Sequence, residues 1–466
     1  MSEDFLDRSK SVAAPGFSRW LVPPAALCIH LAIGQAYAFS VFSKPMSMLR
    51  GITDPAPGDW KITDIGWIFS LAIVFLGLAA AFGGKWVERV GPRKSMFTAA
   101  LLFSGGLLIA GAGVALHSLP LVFLGYGVVG GMGLGIGYIS PVSTLIKWFP
   151  DRPGLATGTA IMGFGGGALI GAPLAVNLMK SYATPTHSGV AATMLTMGVI
   201  YLAFMMVGAF IVRVPAEGWA PAGFVPKTVG GKMITTRNVL VGAAVQTPQF
   251  YLLWLVLFLN VTAGIGVLGQ ASLMIQEMFP GKFPHAAPTQ IKASAAVAAG
   301  FVGLLSIFNM GGRIFWASTS DFIGRKMTYA IFFALGIALY ASIPSIGKSG
   351  NLTLFIVAYA IILSMYGGGF ATIPAYLKDL FGTVNVGAIH GRLLTAWSAA
   401  GVAGPVLVNY IRDYQITHGV AKADAYSVTM YIMAGLLVVG FVCNMLVTQI
   451  NDRAHVPTGS LAEARS

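Results

Sequence analysis

The chain has 466 residues, 56% of them hydrophobic and only 10% charged, with 59 glycines and a formal net charge of +13. That balance excludes a soluble globular fold, and the basic residues are spread among loops instead of gathered with aromatics, which excludes a nucleic-acid surface. Cys28 and Cys443 lie in apolar runs at opposite ends of the chain, so neither a disulfide nor a metal site is expected.

Apolar runs long enough to cross about 30 Å of hydrocarbon as helices are predicted over 20–43, 63–85, 94–115, 119–146, 153–177, 190–212, 249–275, 293–319, 326–346, 351–376, 389–411 and 426–448. They are continuously apolar, not alternating, which selects helices over a barrel. The expected fold class is an all-α membrane protein of twelve transmembrane helices in two pseudo-symmetric six-helix bundles. With an internal N-terminus, 19 of the 29 Lys and Arg fall on inside segments and 9 on outside segments. By the positive-inside rule both termini are then cytoplasmic, and a multi-pass protein of a bacterial inner membrane is expected.

The first run follows a polar stretch and lacks a small-residue cleavage site, so it is expected to be retained. It carries His30, which with Arg313 makes up the intramembrane ionisable side chains other than tyrosine; a proton carrier and a hydrogen-bonding helix contact are both open readings. The loop after the second run reads Gly84-Lys85-Trp86-Val87-Glu88-Arg89-Val90-Gly91-Pro92-Arg93. Glycines at four-residue spacing follow: Gly127, Gly131 and Gly135 in the fourth run, and Gly163, Gly167 and Gly171 in the fifth. Such stripes let helices approach closely, for packing or for smooth surfaces that slide.

A polar, proline-rich stretch over 213–248 reads as a cytoplasmic linker between an N-terminal half, 1–212, and a C-terminal half, 249–466. The halves are related by a shift of 233 residues: Gly91 pairs with Gly324, Pro141 with Pro374 and Gly158 with Gly391. A parallel duplication of six spans predicts a binding site at mid-membrane between the repeats.

The eighth run holds Arg313, and no Asp or Glu lies deep in any run. A charge at the bilayer centre costs from about 2.5 to above 10 kcal/mol, so it survives where a cavity and a counter-ion meet it. Eight residues at about 1.5 Å each set it about 12 Å deeper than Asp321. The alternatives are a substrate cation and a structural tie to backbone carbonyls. Gln35, Tyr37, Tyr138, Asn260, Tyr366 and Phe370 are further candidate pocket groups, aromatic rings with polar tips being suited to enclose a small acid. Neither a nucleotide-binding loop nor a cluster of catalytic groups is visible. The expectation is a non-enzymatic, monomeric transporter of a small organic anion, without cofactor, whose partners are that anion and the lipid bilayer.

The loops at Gly84–Arg93 and Asp321-Phe322-Ile323-Gly324-Arg325, at one offset, resemble the signature of the major facilitator superfamily. Gly34-Gln35-Ala36-Tyr37, Lys147-Trp148-Phe149-Pro150-Asp151-Arg152 and Thr247-Pro248-Gln249-Phe250-Tyr251 resemble its oxalate/formate antiporter branch, and more distantly the monocarboxylate transporters. The resemblance implies the major facilitator fold, carboxylate transport, and a carboxylate-binding role for Arg313. It implies a conformational role for Gly84, Glu88, Arg89, Gly91, Arg93, Asp321, Gly324 and Arg325. Two departures stand out. Trp397 occupies the position where dianion carriers of the branch have a lysine, so one cation faces the substrate; pocket lining and packing remain open for Trp397 itself. Asn309 replaces the aspartate of animal monocarboxylate transporters, and a neutral amide cannot carry a proton. Antiport of carboxylates is the first expectation, and proton-coupled monocarboxylate symport the second. A carboxylate receptor that does not transport is the third.

Overall fold

The structure is a computed structural model that describes residues 5–52, 55–224, 233–235, 237–279, 288–451 and 454–455. Among these residues, twelve helices are long and apolar enough to cross a membrane. We label them α1 (Arg19–Ala38), α2 (Asp64–Val90), α3 (Pro92–Ala115), α4 (Leu119–Trp148), α5 (Pro153–Tyr182), α6 (Val190–Ile211), α7 (Pro248–Leu268), α8 (Gly300–Ile323), α9 (Arg325–Lys348), α10 (Leu352–Phe381), α11 (Val386–Thr417) and α12 (Ser427–Leu446). The predicted runs correspond one to one, with ends that differ by several residues because apolarity does not mark where helices leave the bilayer. The α7 helix continues to Met278 and the α8 helix begins at Pro288.

Proline and glycine set many of the ends. Pro92, Pro153 and Pro248 each sit in the first turn of a helix, where the missing N–H costs nothing. Gly91 and Gly324 turn the chain between α2 and α3 and between α8 and α9 with φ of 82° and 88°, a region that disfavours side chains. Large apolar side chains such as Val199 and Phe315 stay exposed, 59% and 60%, as lipid-facing helices require.

The six-helix halves repeat one packing scheme. In the first half α3 packs on α6, α1 on α5 and α2 on α4; in the second α9 packs on α12, α7 on α11 and α8 on α10. Between halves, α2 packs on α11 and α5 on α8. The glycine stripes, which could have served as sliding surfaces, lie inside the first half. Gly127, Gly131 and Gly135 face Leu71, Ala72 and Leu76 of α2, while Gly163, Gly167 and Gly171 face Leu27, Leu31, Gly34 and Gln35 of α1. They tie a bundle together instead of lubricating its motion.

The close approaches between halves fall on other glycines, in mirrored pairs. A Cβ on Gly158 would meet the Arg313 carbonyl oxygen at 2.6 Å, and one on Gly391 would meet the Ala80 carbonyl oxygen. Both members differ by the 233-residue shift, Gly158 from Gly391 and Ala80 from Arg313. Gly391→Val would force α2 and α11 apart, since backbone cannot yield as a flexible side chain does. The expected result is a monodisperse protein destabilised by about 1–3 kcal/mol, read as a lower melting temperature; wild-type melting would show that the contact is dispensable.

Candidate functional site

Arg313 is fully buried on α8 where α5 and α10 meet it. Its Nε donates to Asn309 Oδ1 at 3.1 Å, one helical turn away, and Nη1 donates to the Ile161 carbonyl of α5 at 3.2 Å. Nη2 has no partner, and no carboxylate bonds the guanidinium among the described residues. The group sits 5.4 Å from the Phe370 ring centroid and 6.0 Å from that of Phe164, the faces of which suit a cation. Room for it comes from α5: a Cβ at Gly165 would meet Nε at 2.9 Å. The structural tie is thus real but partial, using two of the three nitrogens.

Trp397 on α11 is fully buried at the centre of an aromatic box, which decides against a lipid-facing role. Its ring lies 4.6 Å from Phe370, 5.2 Å from Phe164, 5.4 Å from Tyr138 and 6.4 Å from Tyr37. Phe164 and Trp397 are separated by the 233-residue shift, so a repeat-related pair meets between the halves. Tyr37 and Tyr366 span the halves above the box with hydroxyl oxygens 3.3 Å apart. The Tyr138 hydroxyl and the Trp397 Nε1–H, both buried, have no partner, as does Arg313 Nη2. Buried polar groups ordinarily have a partner, so these three give an otherwise aromatic box polar atoms on its inner side.

The other sequence candidates are distributed unevenly. Asn309 is a positioning group for Arg313, and Tyr37, Tyr138, Tyr366, Phe370 and Trp397 belong to the box. Gln35 stands apart: its Oε1 accepts from Tyr126 at 3.3 Å, and its side chain packs under Gly171 inside the first half. Asn260 lies inside the second half beside Gly369, behind Tyr366. His30 is fully buried with Nδ1 2.9 Å from the Ala160 carbonyl and Nε2 3.2 Å from the Tyr138 carbonyl. A neutral ring can donate to only one of these, a protonated ring to both. It ties α1 to α4 and α5, behind the box.

The signature loops build two latches at the end of the bundle that carries Gly91 and Gly324. Asp321 Oδ1 and Oδ2 accept from the Gly154 and Leu155 backbone N–H groups at 2.9 and 3.0 Å, capping α5 of the other half. Glu88 Oε1 accepts from the Gly387 N–H at 3.0 Å, in the first turn of α11 of the other half, and from Ser143 at 2.9 Å. Glu88 and Asp321 differ by 233, as do Gly154 and Gly387, so one latch is the repeat of the other. Carboxylates at helix N-termini gain from the unpaired N–H groups there.

Each carboxylate is anchored on its own side. Arg325 joins Asp321 at 2.5 Å to Asp379 at 3.1 Å, and Lys147 bonds Glu88 at 2.5 Å. Gly84 packs against Ala388 beside the Glu88 latch. Arg93 donates to the Phe5 carbonyl at 2.9 Å and lies over its ring, fixing the N-terminal segment, whereas Arg89 is exposed. Nearby, Asp151 takes a two-pronged bond from Arg19 at 2.7 and 3.1 Å. Burial alone would raise the Asp151 pKa, but the Arg19 bonds and charge outweigh it and hold the carboxyl below its ordinary value.

Sequence reasoning missed Phe164, Lys147 and the two glycine N–H groups. The 233-residue shift applied to Trp397 and to Gly387 would have found Phe164 and Gly154.

The Major Facilitator Superfamily profile matches residues 16–405. The oxalate:formate antiporter of Oxalobacter formigenes is 28% identical over 392 residues, 83% of each chain. Human monocarboxylate transporter 11 is 25% identical, over 81% of this chain and 76% of that one. The crystal structure of FucP, the fucose:proton symporter of E. coli, matches the fold with a TM-score of 0.64 at 14% identity, covering 93% of this chain and 100% of that one.

Proposed function

The chain belongs to the Major Facilitator Superfamily, and from that premise we propose that it carries small carboxylate anions by alternating access, Arg313 taking the carboxylate. One observation supports this above the rest: a fully buried guanidinium between the halves keeps one nitrogen unpartnered and has no protein carboxylate on it. A guanidinium can hold a carboxylate through two N–H groups, and the box around it excludes water, which strengthens the pair. The printed names of the relatives, an oxalate:formate antiporter and a monocarboxylate transporter, agree in the carboxylate.

In this reading residues 1–212 and 249–466 rock as two units joined by the cytoplasmic stretch 213–248. The latched end faces the cytoplasm of a bacterial inner membrane, and one chain suffices. One permanent cation balances a monocarboxylate, so formate-, pyruvate- or lactate-type anions fit the resting charge of the site.

Antiport is the first mechanism, since an empty site would move an uncompensated Arg313 through the occluded state. Counterflow tests it. Proteoliposomes preloaded with unlabelled monocarboxylate should take up labelled monocarboxylate several-fold faster than empty ones, and an imposed inward proton gradient should not substitute for the preload. Acceleration by the proton gradient alone would favour symport. Binding of labelled monocarboxylate without any flux would instead favour a receptor.

A further inference from the structure

Each latch is received by a helix that does not cap itself. Arg152 precedes α5 and carries no acceptor, whereas Asn385, its counterpart by the 233-residue shift, precedes α11 and is of a type strongly preferred for capping. Neither side chain makes a capping bond. That of Asn385 is engaged elsewhere, its Oδ1 accepting from the Val241 N–H at 3.1 Å. Val241 belongs to the segment that leads into α7, and this segment is stitched to the turn between α10 and α11. The Val239 N–H donates to the Phe381 carbonyl at 2.9 Å, and Asn238 Oδ1 accepts from the Thr383 and Val384 N–H groups at 3.0 and 3.1 Å. Held there, Asn385 has φ −112° and ψ 20°, short of the extended backbone from which a capping side chain turns back over the first turn.

The diverted side chain and Glu88 want the same donor. A capping side chain accepts from the second or third N–H of its helix. In α11, which begins at Val386, the second is that of Gly387, and Glu88 of the other half holds it at 3.0 Å. While Val241 occupies Asn385 Oδ1, the Gly387 N–H is left for Glu88 and the contact of α2 with α11 is latched. At α5 the Gly154 and Leu155 N–H groups depend on Asp321, and Arg152 cannot compete with it. Two latches built as repeats of one another therefore differ in the residue that precedes the receiving helix.

We infer that Asn385 is a cap switch that couples the segment entering α7 to the opening of the latched end. With the halves closed, its side chain holds Val241 and Glu88 holds Gly387. With the halves parted, a turn about ψ brings Asn385 onto the Gly387 N–H, and the Val241 N–H is released. The start of α11 thus keeps an acceptor in both arrangements, and a cap of this kind biases an equilibrium by roughly two- to thirtyfold. The inference rests on the reading of two rocking halves, and it makes Asn385 a positioning residue that touches no substrate.

The test uses the full chain with Cys28 and Cys443 replaced by serine and with Ala317→Cys as the reporter. Ala317 is fully buried beside Gly158 of the first half, so thiol labelling there requires the halves to part. Val241→Pro removes the competing N–H at the first position of a short helix, Val241–Ala244, where proline is tolerated, and Leu240 before it is already extended. Asn385 is then free to cap α11, and labelling should accelerate by about two- to thirtyfold. In an Asn385→Ala background the same proline should change labelling by less than about twofold. An equal gain in both backgrounds overturns the switch, as does no gain in either while Glu88→Ala accelerates labelling. Amide exchange followed residue by residue gives a second measurement that needs no proline. In Asp321→Ala the Val241 amide should exchange faster in step with labelling, and the Gly387 amide should lag behind it until Asn385→Ala is added. A Gly387 amide that keeps pace with labelling in Asp321→Ala alone also overturns the switch. Labelling left unchanged by both Glu88→Ala and Asp321→Ala overturns the rocking of the halves beneath it.

Discussion

Arg313→Ala should remove saturable carboxylate uptake, by at least about 100-fold, and Arg313→Lys should still lose about tenfold or more although it keeps the charge. The difference follows from how the three nitrogens are used. Nε is on Asn309 and Nη1 on Ile161, which leaves Nη2 open for the proposed carboxylate. A lysine has one nitrogen on a flexible stem and cannot hold the Asn309 amide, the Ile161 carbonyl and a substrate in that plane. Hydrogen bonds to charged groups contribute about 1.5–3 kcal/mol each, and 1.4 kcal/mol is tenfold in affinity, which sets both magnitudes. Thermal melting distinguishes function from architecture. An arginine kept for structure would cost stability when removed, whereas deleting a buried cation with no anionic partner should leave melting unchanged or raise it. Uptake within twofold of wild type in Arg313→Ala would refute the assignment, and a collapse of melting would point to the structural role.

How much of this was legible beforehand can be judged residue by residue. Arg313 was legible because charge in lipid is so costly that one arginine in an apolar run already demands a reason. The twelve helices were legible because continuous apolarity over such lengths has few other solutions. Trp397 was ambiguous, since an indole serves lipid, packing and pocket equally well, and its burial among four rings removes only the first. Gln35 and Asn260 were open in another way. A polar group in an apolar run can face a pocket or the interior of its own bundle, and helical position relative to six neighbours is not written in a single run. The glycine stripes left packing and sliding open for the same reason: spacing reveals a smooth face but not which helix it meets.

The latches give the other large expected effect. Asp321→Ala removes two charge-assisted acceptors from the start of α5 and leaves Arg325 to Asp379 and the Ser320 hydroxyl. Two such bonds are worth about 3 kcal/mol or more in isolation, enough to raise a minor open population about 100-fold if that end opens as a unit. Ala388→Cys, placed in a protein whose Cys28 and Cys443 are replaced by serine, reports the opening. Ala388 is fully buried against Gly84 in the closed arrangement, so thiol labelling there requires α2 and α11 to part. Labelling should accelerate by up to about 100-fold in Asp321→Ala, while Asp321→Asn, which keeps one oxygen for the Gly154 N–H, should accelerate less. Because Glu88 and Gly387 repeat Asp321 and Gly154, Glu88→Ala should act in the same direction from the other half. A rocking bundle needs both latches to break together, so their costs sum and the double variant should label faster than either single one, towards the product of the two single effects. Unchanged labelling in both single variants would mean that helix packing alone closes this end. Acceleration at position 388 by Glu88→Ala with none by Asp321→Ala would mean that the two inter-half contacts, α5 on α8 and α2 on α11, open independently instead of as one rigid motion.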